Sequence, residues 1–254
     1  RICIREGKST TALDDLLLYL IAGTVIGARL GHCLFYEFDY YAAHPLKILM
    51  VWEGGLASHG GGVGVLLAIW LFSRKHRDFA LFWIFDRVAI FTSLTGAFIR
   101  LGNLMNSEII GKPTDGTWGF VFLLVDKIPR HPTQIYEAIC YALIAAVGWR
   151  IYKRYASNPP SGLIFGTTLA LIYLARIFLE TFKENQEAFE AGWILNMGQL
   201  LSIPYVLAGL YFVAHALRNE KQTSGRVKNR AEALDAAQPY RQKKKHSRNK
   251  KEKK

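Results

Sequence analysis

Six apolar segments run through the first 217 residues, and each approaches the length needed to cross a lipid bilayer. They cover about residues 15–36, 60–73, 80–99, 133–152, 162–182 and 197–217. A helix needs about 20 apolar residues to span a bilayer core, and inside that core the backbone must satisfy its own hydrogen bonds. The sequence therefore predicts an all-α, multi-pass integral membrane protein with six visible transmembrane helices.

The second segment has an unusual beginning. By itself it is too short to span, and it reaches membrane length only if the glycine-rich stretch "WEGGLASHGGGVG", residues 52–64, contributes to it. Glycine permits backbone dihedrals that other residues avoid, and it lets other groups approach the backbone closely. We expect a helix that is entered through irregular backbone, with His59 near its start and glycines open to a lipid headgroup.

Basic residues indicate how the chain is oriented. Short loops rich in Lys and Arg face the cytoplasm, and basic clusters follow the second and fourth segments at 74–77 and 150–154. The connections after the first, third and fifth segments are acidic or mixed. Six spans with both ends cytoplasmic fit this alternation, and the long 100–132 connection lies on the outer side.

The net charge of +12 is concentrated in the C-terminal tail. Residues 218–254 carry 14 Lys and Arg against four Asp and Glu. Such a segment has too little apolar surface to offset the entropy lost on ordering. We expect a transmembrane domain over 1–217 and a disordered cytoplasmic tail over 218–254, which is attracted to anionic lipid headgroups or RNA but has no specific nucleic-acid partner.

Several ionisable residues fall within or at the edges of the spans, where a charge costs about 2.5–3.5 kcal/mol and therefore faces the protein interior. They are Arg29, Asp86, Arg87, Arg100, Glu137, Arg176 and Glu180. Asp86 and Arg87 suit a structural pair or snorkelling. Arg29 lies deeper, so we expect it to need a partner carboxylate or a bound phosphate.

The strongest local signal is "GAFIRLGNLMNSEIIGKP", residues 96–113. It places Arg100, Asn103, Asn106 and Glu108 at the outer end of the third span. A planar guanidinium pairs well with phosphate oxygens, while amides and a carboxylate can hold hydroxyl groups. This cluster suits the headgroup of an anionic phospholipid, and the alternative is a capped helix end followed by a routine loop.

Arg176 lies inside the fifth span, with Glu180 four residues later on the same helical face. The two side chains can satisfy each other within the helix bundle. Alternatively, Arg176 is available to bind phosphate. The spacing leaves both interpretations open.

The chain resembles the prolipoprotein diacylglyceryl transferases of bacterial inner membranes. The resemblance rests, in the family's order, on "GARLGHCLFY", "WEGGLASHGG", "IRLGNLMNSEIIGKP", "HPTQIYEA", "GLIFG" with "ARIFLETFK", and "LNMGQLLSIP". The third motif departs from the family signature at Ile99, where glycine is usual. The resemblance implies a seven-span enzyme whose active site faces the periplasm; its first span has no counterpart here, so we expect a further helix before Arg1.

The resemblance also implies a reaction, in which the diacylglyceryl group of phosphatidylglycerol moves to the lipobox cysteine thiol of a prolipoprotein signal peptide. A thioether forms and glycerol 1-phosphate leaves. By motif position, Arg100 binds the phosphate, while Asn103, Glu108 and Gly111 shape the same pocket. Asn106 joins them as a binding residue, and "HPTQIYEA", with His131, Gln134, Tyr136 and Glu137, is interpreted as structural.

Three residues are assigned to catalysis. His59 or Glu108 accepts the thiol proton, while Arg176 with Arg100 stabilises the departing phosphate. We expect no cofactor and no metal, because the histidines are scattered and no acidic pair suited to magnesium is visible. Two alternatives to the enzyme are a truncated or inactive homologue and a transporter or binding protein for anionic lipid.

Overall fold

The computed structural model describes residues 2–155, 158–184, 195–196 and 198–221. The chain divides into two compact units, one formed by Arg1–Val88 with Lys153–Ser157 and the other by Ala89–Tyr152 with Asn158–Lys254. The predicted tail from residue 222 onward lies outside the described residues. The helix that precedes it continues through Arg218 to Lys221.

The elements of the first unit are helical. They are α1 (Ile2–Arg5), α2 (Thr11–Phe35), α3 (Phe38–Ala43), two 3-10 turns (Pro45–Leu49 and Val51–Glu53) and α4 (Ser58–Lys75). Helix α5 (Leu81–Met105) begins in this unit and ends in the second. The second unit adds a hairpin of β1 (Phe120–Val121) and β2 (Pro129–Arg130), then α6 (Thr133–Arg154), α7 (Leu163–Leu179), a 3-10 turn (Glu180–Phe182) and α8 (Gly198–Lys221).

Five of these helices are long and apolar enough to cross a membrane: α2, α5, α6, α7 with its 3-10 extension, and α8. They coincide with five of the six predicted segments, so the chain is a polytopic membrane protein. The remaining predicted segment, about residues 60–73, forms α4, which has 18 residues. Its first turns contain glycine and histidine and its last turn is basic, and α4 is not among the helices that meet the length and apolarity of a span.

Glycines join α2 and α4. Gly23, Gly27 and Gly31 occupy one face of α2 at four-residue spacing, opposite Gly60 and Gly64 of α4. A Cβ on Gly60 would lie 2.2 Å from the Gly27 carbonyl oxygen, and one on Gly64 would lie 1.9 Å from that of Gly23. Small residues permit such close helix contacts in membranes. These two glycines therefore serve helix packing; the expectation that this stretch is open to a lipid headgroup stays a prediction.

The irregular entry into α4 is confirmed. Gly54 and Gly55 adopt positive φ angles of 91° and 69°, a region that glycine enters without steric cost. The backbone then becomes extended at Ala57, and α4 begins at Ser58.

Arg29 is buried, but its partners differ from the predicted carboxylate or phosphate. Its guanidinium donates to backbone carbonyls of the connection between α3 and α4, at 2.9 Å to Ile48, 2.5 Å to Gly54 and 3.2 Å to Gly55, and also to that of Lys47. Carbonyl oxygens of an irregular loop need donors when buried. Arg29 therefore stabilises the loop that leads into α4, a role that spacing along the chain could not reveal.

A second buried arginine is structural, in agreement with one of the predicted alternatives. Arg87 on α5 contacts Glu6 with nitrogen and oxygen 2.9 Å apart, and both side chains are largely shielded from solvent. The indole of Trp83 donates to the same carboxylate. This pair fixes the segment after α1 beside α5 within the first unit.

Candidate active site

A hydrogen-bonded cluster occupies the end of α5 and the loop that follows it. Arg100 Nη1 donates to Asn103 Oδ1 at 3.2 Å, and Asn103 Nδ2 donates to Glu108 Oε2 at 2.7 Å. Asn106 Nδ2 reaches Glu108 Oε1 at 3.4 Å. Four of the residues predicted to form the site are thus connected in one network, which we term the Arg100 cluster: Arg100, Asn103, Asn106 and Glu108. Helix α5 presents Arg100 and Asn103 three residues apart on one face, and the loop returns Glu108 to them.

The backbone around Glu108 is held in an unusual conformation. Its neighbours Ser107 and Ile109 have φ angles of 56° and 55°, and the left-handed region is costly for a β-branched residue. Two side chains from the start of α6 hold this turn. Gln134 Nε2 donates to the Glu108 carbonyl at 2.6 Å, and Thr133 Oγ1 donates to that of Ile109 at 3.0 Å. Strain that surrounding groups maintain is common at functional sites.

Five charged residues of alternating sign form a continuous row beside this cluster, which we term the charge row: Arg100, Glu137, Lys183, Glu180 and Arg176. Arg100 Nε lies 2.9 Å from Glu137 Oε2, and Lys183 Nζ lies 2.9 Å from Glu137 Oε1. Lys183 Nζ is also 3.3 Å from Glu180 Oε2, which lies 3.8 Å from Arg176 Nε. Three cations and two carboxylates leave the row with one net positive charge.

The inner members of the charge row are removed from solvent. The side chains of Glu137, Lys183 and Glu180 are 1%, 5% and 6% exposed. Buried ions are tolerated only when they are paired and hydrogen-bonded, and here each carboxylate lies between two cations. Glu180 also packs against the first turn of α8, because a Cβ on Gly198 would lie 2.9 Å from the carboxyl carbon. The positive end of the α8 dipole favours that negative charge.

The start of α8 is itself fixed by a reciprocal cap. Asn196 Oδ1 accepts the backbone N–H of Gln199 at 2.9 Å, and Gln199 Oε1 accepts that of Asn196 at 3.1 Å. This is the capping-box arrangement, in which two backbone donors at a helix start are satisfied. Gln199 Nε2 additionally donates to the Ile177 carbonyl on α7. The cap therefore ties α8 to the helix that carries Arg176.

The outer members of the charge row retain capacity to bind. The Arg176 side chain is 42% exposed, although its Nε is buried and makes no hydrogen bond among the described residues. The Arg100 side chain is 21% exposed. Partly exposed arginines at the ends of a row with a net positive charge are suited to an anion.

Gly111 is part of the framework behind the cluster. A Cβ at this position would lie 2.4 Å from the His131 carbonyl oxygen and 2.9 Å from that of Phe182. Gly111 also pairs with Lys183 in an isolated antiparallel bridge. Only glycine leaves room for three chain segments to meet here. We infer that Gly111 acts by permitting this packing, which brings Lys183 to Glu137.

A second group of ion pairs, centred on Arg130, supports the loop that contains Gly111. Arg130 Nη2 lies 2.6 Å from Asp126 Oδ2, and Arg130 Nη1 lies 2.5 Å from Glu184 Oε1. The guanidinium donates hydrogen bonds that keep the pKa of the Asp126 carboxyl below its usual value. The Arg130 pKa is correspondingly raised by its two carboxylate partners. Arg130 also donates to the Gly111 carbonyl, so this group supports the same loop.

His59 belongs to the first unit and is described with its own neighbours. It is the second residue of α4 and is exposed. With Gly27, Gly31 and Gly60 it lines an apolar groove of about 1180 Å³ along α2 and α4.

The structure thus brings together Arg100, Asn103, Asn106 and Glu108, places Gly111 behind them, and connects Arg176 to them through the charge row. Sequence reasoning missed the role of Lys183 altogether and treated the "HPTQIYEA" motif as structural. Glu137 of that motif contacts Arg100 directly, and Gln134 holds the Glu108 turn. The sequence feature that pointed to Glu137 was its carboxylate within an otherwise apolar segment.

Comparison with known proteins gives a consistent result. The family model described as prolipoprotein diacylglyceryl transferase matches residues 1–215. A relative from Tolumonas auensis, named phosphatidylglycerol–prolipoprotein diacylglyceryl transferase, is 55% identical over 210 residues, which cover 83% of this chain and 81% of the relative. Proteins of the same name from Porphyromonas gingivalis and Nitrosospira multiformis are 48% and 41% identical; the matches cover 81% and 88% of this chain, and 78% and 77% of those relatives.

Proposed function

The chain belongs to the prolipoprotein diacylglyceryl transferase family, and we propose that it transfers the diacylglyceryl group of phosphatidylglycerol to the cysteine thiol of a prolipoprotein signal peptide. The thiol loses its proton, and its sulfur forms a bond to a glycerol carbon of the lipid. The bond from that carbon to the phosphate oxygen breaks with its electron pair, and glycerol 1-phosphate departs. The products are a thioether-linked lipopeptide and a phosphate monoester.

The reaction first requires that the negative charge on the departing phosphate be stabilised. Negative charge grows on the bridging oxygen as the bond breaks, and fixed cations that face it lower the barrier. Arg100 and Arg176, at the two ends of the charge row, are the residues we assign to this role. The buried Glu137 and Glu180 orient the two guanidinium groups, so little reorganisation is needed when the charge develops.

The reaction also requires a group that accepts the proton of the thiol. His59 has an imidazole, whose neutral form can accept a thiol proton. Glu108 is the alternative acceptor, since it is a carboxylate anchored by two asparagine amides within the Arg100 cluster. Asn103 and Asn106 then have a further role, because their amides fix the carboxylate and offer a hydrogen bond to a headgroup hydroxyl.

One observation carries this proposal, namely the charge row with partly exposed arginines at its ends and a net positive charge. It supports binding of an anionic headgroup beside membrane-spanning helices. We further propose the bacterial inner membrane as the location, with the Arg100 cluster on the periplasmic side and the tail on the cytoplasmic side near anionic lipid. The loop charges support this orientation.

The test is a transfer assay in lipid vesicles. The protein is reconstituted with phosphatidylglycerol and incubated with a peptide that contains a lipobox cysteine. We expect the peptide mass to increase by one diacylglyceryl group and glycerol phosphate to appear in equal amount. A peptide with serine in place of the cysteine should remain unmodified. Absence of transfer, with the protein folded and both substrates present, would contradict the proposal.

Variants separate the assigned roles. Arg100→Ala should reduce kcat/KM by about two to three orders of magnitude, as expected when one donor to a developing anion is lost. Lys112→Ala is the matched control, because its exposed amine donates to one acceptor among the described residues, the Thr181 carbonyl. If Arg100→Ala retains full activity, the phosphate is bound elsewhere.

The proton acceptor is identified by comparing His59→Gln with Glu108→Gln. Removal of the acceptor should lower kcat and abolish the rise of activity with pH that titration of that group produces. The other variant should retain this rise. Two unchanged pH profiles would exclude both residues as the base.

A further inference from the structure

The connection between α5 and α6 exposes an unusual number of large apolar side chains. They are Trp118, Phe120, Val121, Leu123, Leu124, Val125 and Ile128. Leu123 and Leu124, at the tip, are 79% and 80% exposed. Scattered exposed apolar residues are ordinary, but a contiguous group of this size marks a surface that contacts a partner or a membrane.

The hairpin that carries these residues is held in a defined conformation. Strands β1 and β2 pair in antiparallel register, with Phe120 opposite Arg130. Phe122 is buried beneath the tip, and its carbonyl accepts the N–H groups of Val125 and Asp126 at 2.8 and 3.0 Å. Asp126 closes the turn onto Arg130. The apolar side chains therefore stay on the surface, because the backbone that presents them cannot fold them inward.

The position of the hairpin is limited by the helices on either side of it. Helix α5 ends at Met105 and α6 begins at Thr133, and both are long and apolar enough to span the membrane. Their connection must therefore emerge at the boundary between lipid and water. Trp118 Nε1 donates to the hydroxyl of Tyr136 in the first turn of α6 at 2.7 Å. Tryptophan and tyrosine are enriched at that boundary.

We propose that residues 118–128, the apolar hairpin, insert their tip into the interfacial layer of the bilayer beside the Arg100 cluster. The occupant of this surface is lipid, because the hairpin lies on the connection between two helices that are long and apolar enough to span the membrane. Lys127, which is exposed at the tip, suits the phosphate groups of the same layer. The hairpin thereby anchors the loop of Glu108 and Gly111 at headgroup depth.

Insertion of the hairpin into the bilayer does not depend on the proposed function. The benefit of this insertion, which is to hold the loop of Glu108 and Gly111 at headgroup depth, rests on that function. Gly111 links the two, since its N–H bonds to the His131 carbonyl just after β2. Thr114 likewise bonds to the carbonyl of Pro129 on β2. The depth measurement needs no turnover, so it can contradict insertion of the hairpin while the transfer assay supports the proposed function. It can equally support insertion while the transfer assay contradicts the proposed function.

The experiment measures the depth of a nitroxide label on the full chain in vesicles that contain phosphatidylglycerol. A background with Cys3→Ser, Cys33→Ala and Cys140→Ala removes the native thiols. The label is attached through Leu124→Cys, and the matched control is Asp115→Cys, which lies on the exposed turn at the polar side of the same connection. Collision with oxygen reports lipid, and collision with a water-soluble nickel chelate reports water.

We expect the ratio of oxygen to nickel collisions to be several-fold higher at position 124 than at position 115. Equal ratios typical of water would overturn the proposal. Shielding from both reagents, together with spin–spin coupling that grows with protein density, would also overturn it, because the tip would then contact a second copy. A label at Val125→Cys provides a second measurement. Its ratio should fall when Leu123→Asn and Leu124→Asn are introduced, and an unchanged ratio would show that these side chains do not anchor the hairpin.

Discussion

Replacement of Lys183 by methionine is the most direct test of the charge row. Methionine keeps most of the aliphatic length of lysine but removes the ammonium group, which lies 2.9 Å from Glu137 and 3.3 Å from Glu180. Among the described residues, Glu137 then keeps Arg100 alone as an ion-pair partner. Glu180 likewise keeps Arg176, whose Nε is 3.8 Å away. The substitution therefore leaves two buried carboxylates with weaker compensation.

The size of the effect follows from this burial. Removal of one partner from a buried ion pair costs about 3–5 kcal/mol, because an uncompensated charge stays inside the protein. We expect Lys183→Met to lower the free energy of unfolding by that amount. We also expect lower transfer activity, since Glu137 would no longer be held in place beside Arg100. Proteins have a total stability of only about 5–15 kcal/mol, so the loss should be large.

The assay is denaturant unfolding of the protein in detergent micelles, followed by the helical circular dichroism signal. Lys112→Met is the matched control, because the Lys112 side chain is exposed and donates one hydrogen bond within the described residues, to the Thr181 carbonyl. Its loss should cost about 0.5–1.5 kcal/mol. A double variant with Glu180→Gln tests the coupling, and residues in one such network should deviate from additivity by about 0.5–3 kcal/mol.

A defined result would refute this reasoning. If Lys183→Met and Lys112→Met destabilise the protein equally, within about 1 kcal/mol, Lys183 does not compensate buried charge. Strict additivity with Glu180→Gln would lead to the same conclusion. The two arginines would then have to be oriented by something other than the charge row.

Three further predictions concern single positions. Gly111→Ala should destabilise the protein by about 1–3 kcal/mol, because the added methyl group would collide with two backbone carbonyls. Gly102→Ala is the control, because its added methyl group would meet no atom within 4 Å. In the same unfolding assay it should be neutral or stabilising by up to about 1 kcal/mol. Arg100→Lys should restore only part of the activity lost in Arg100→Ala, because an ammonium group cannot bind phosphate bidentately; full recovery in the transfer assay would contradict this. Arg130 holds the Asp126 pKa below its usual value, so the ion pair should stabilise the hairpin above about pH 4 and be lost as the pH falls further; the protection factors of hairpin amides, which account for the slower intrinsic exchange at low pH, should fall there in the native chain but not in Asp126→Asn.

The helices were predictable because their determinants are local. A bilayer forces each spanning segment to satisfy its own backbone, so length and apolarity alone identify it. Five predicted segments became long apolar helices, and the segment near 60–73 became α4. The cluster of Arg100 and Glu108 was also predictable, because its members lie within three turns of one another in sequence.

The partners of distant charges were not predictable in the same way. Arg29 was expected to need a carboxylate or phosphate and instead binds carbonyls of an irregular loop. The glycine pattern near His59 likewise did not reveal that Gly60 packs against the Gly27 backbone. In both cases the apolar pattern shows that a residue is buried but not what it is buried against.

The sequence by itself determined that this chain crosses a membrane several times, which segments do so, and to which family its motifs belong. Only the tertiary structure decided that Lys183 joins Glu137 to Glu180. It also decided that Gln134 holds the turn of Glu108. The physical reason is that helix formation depends on neighbours along the chain, whereas compensation of a buried charge depends on which distant segments pack close enough to exclude water.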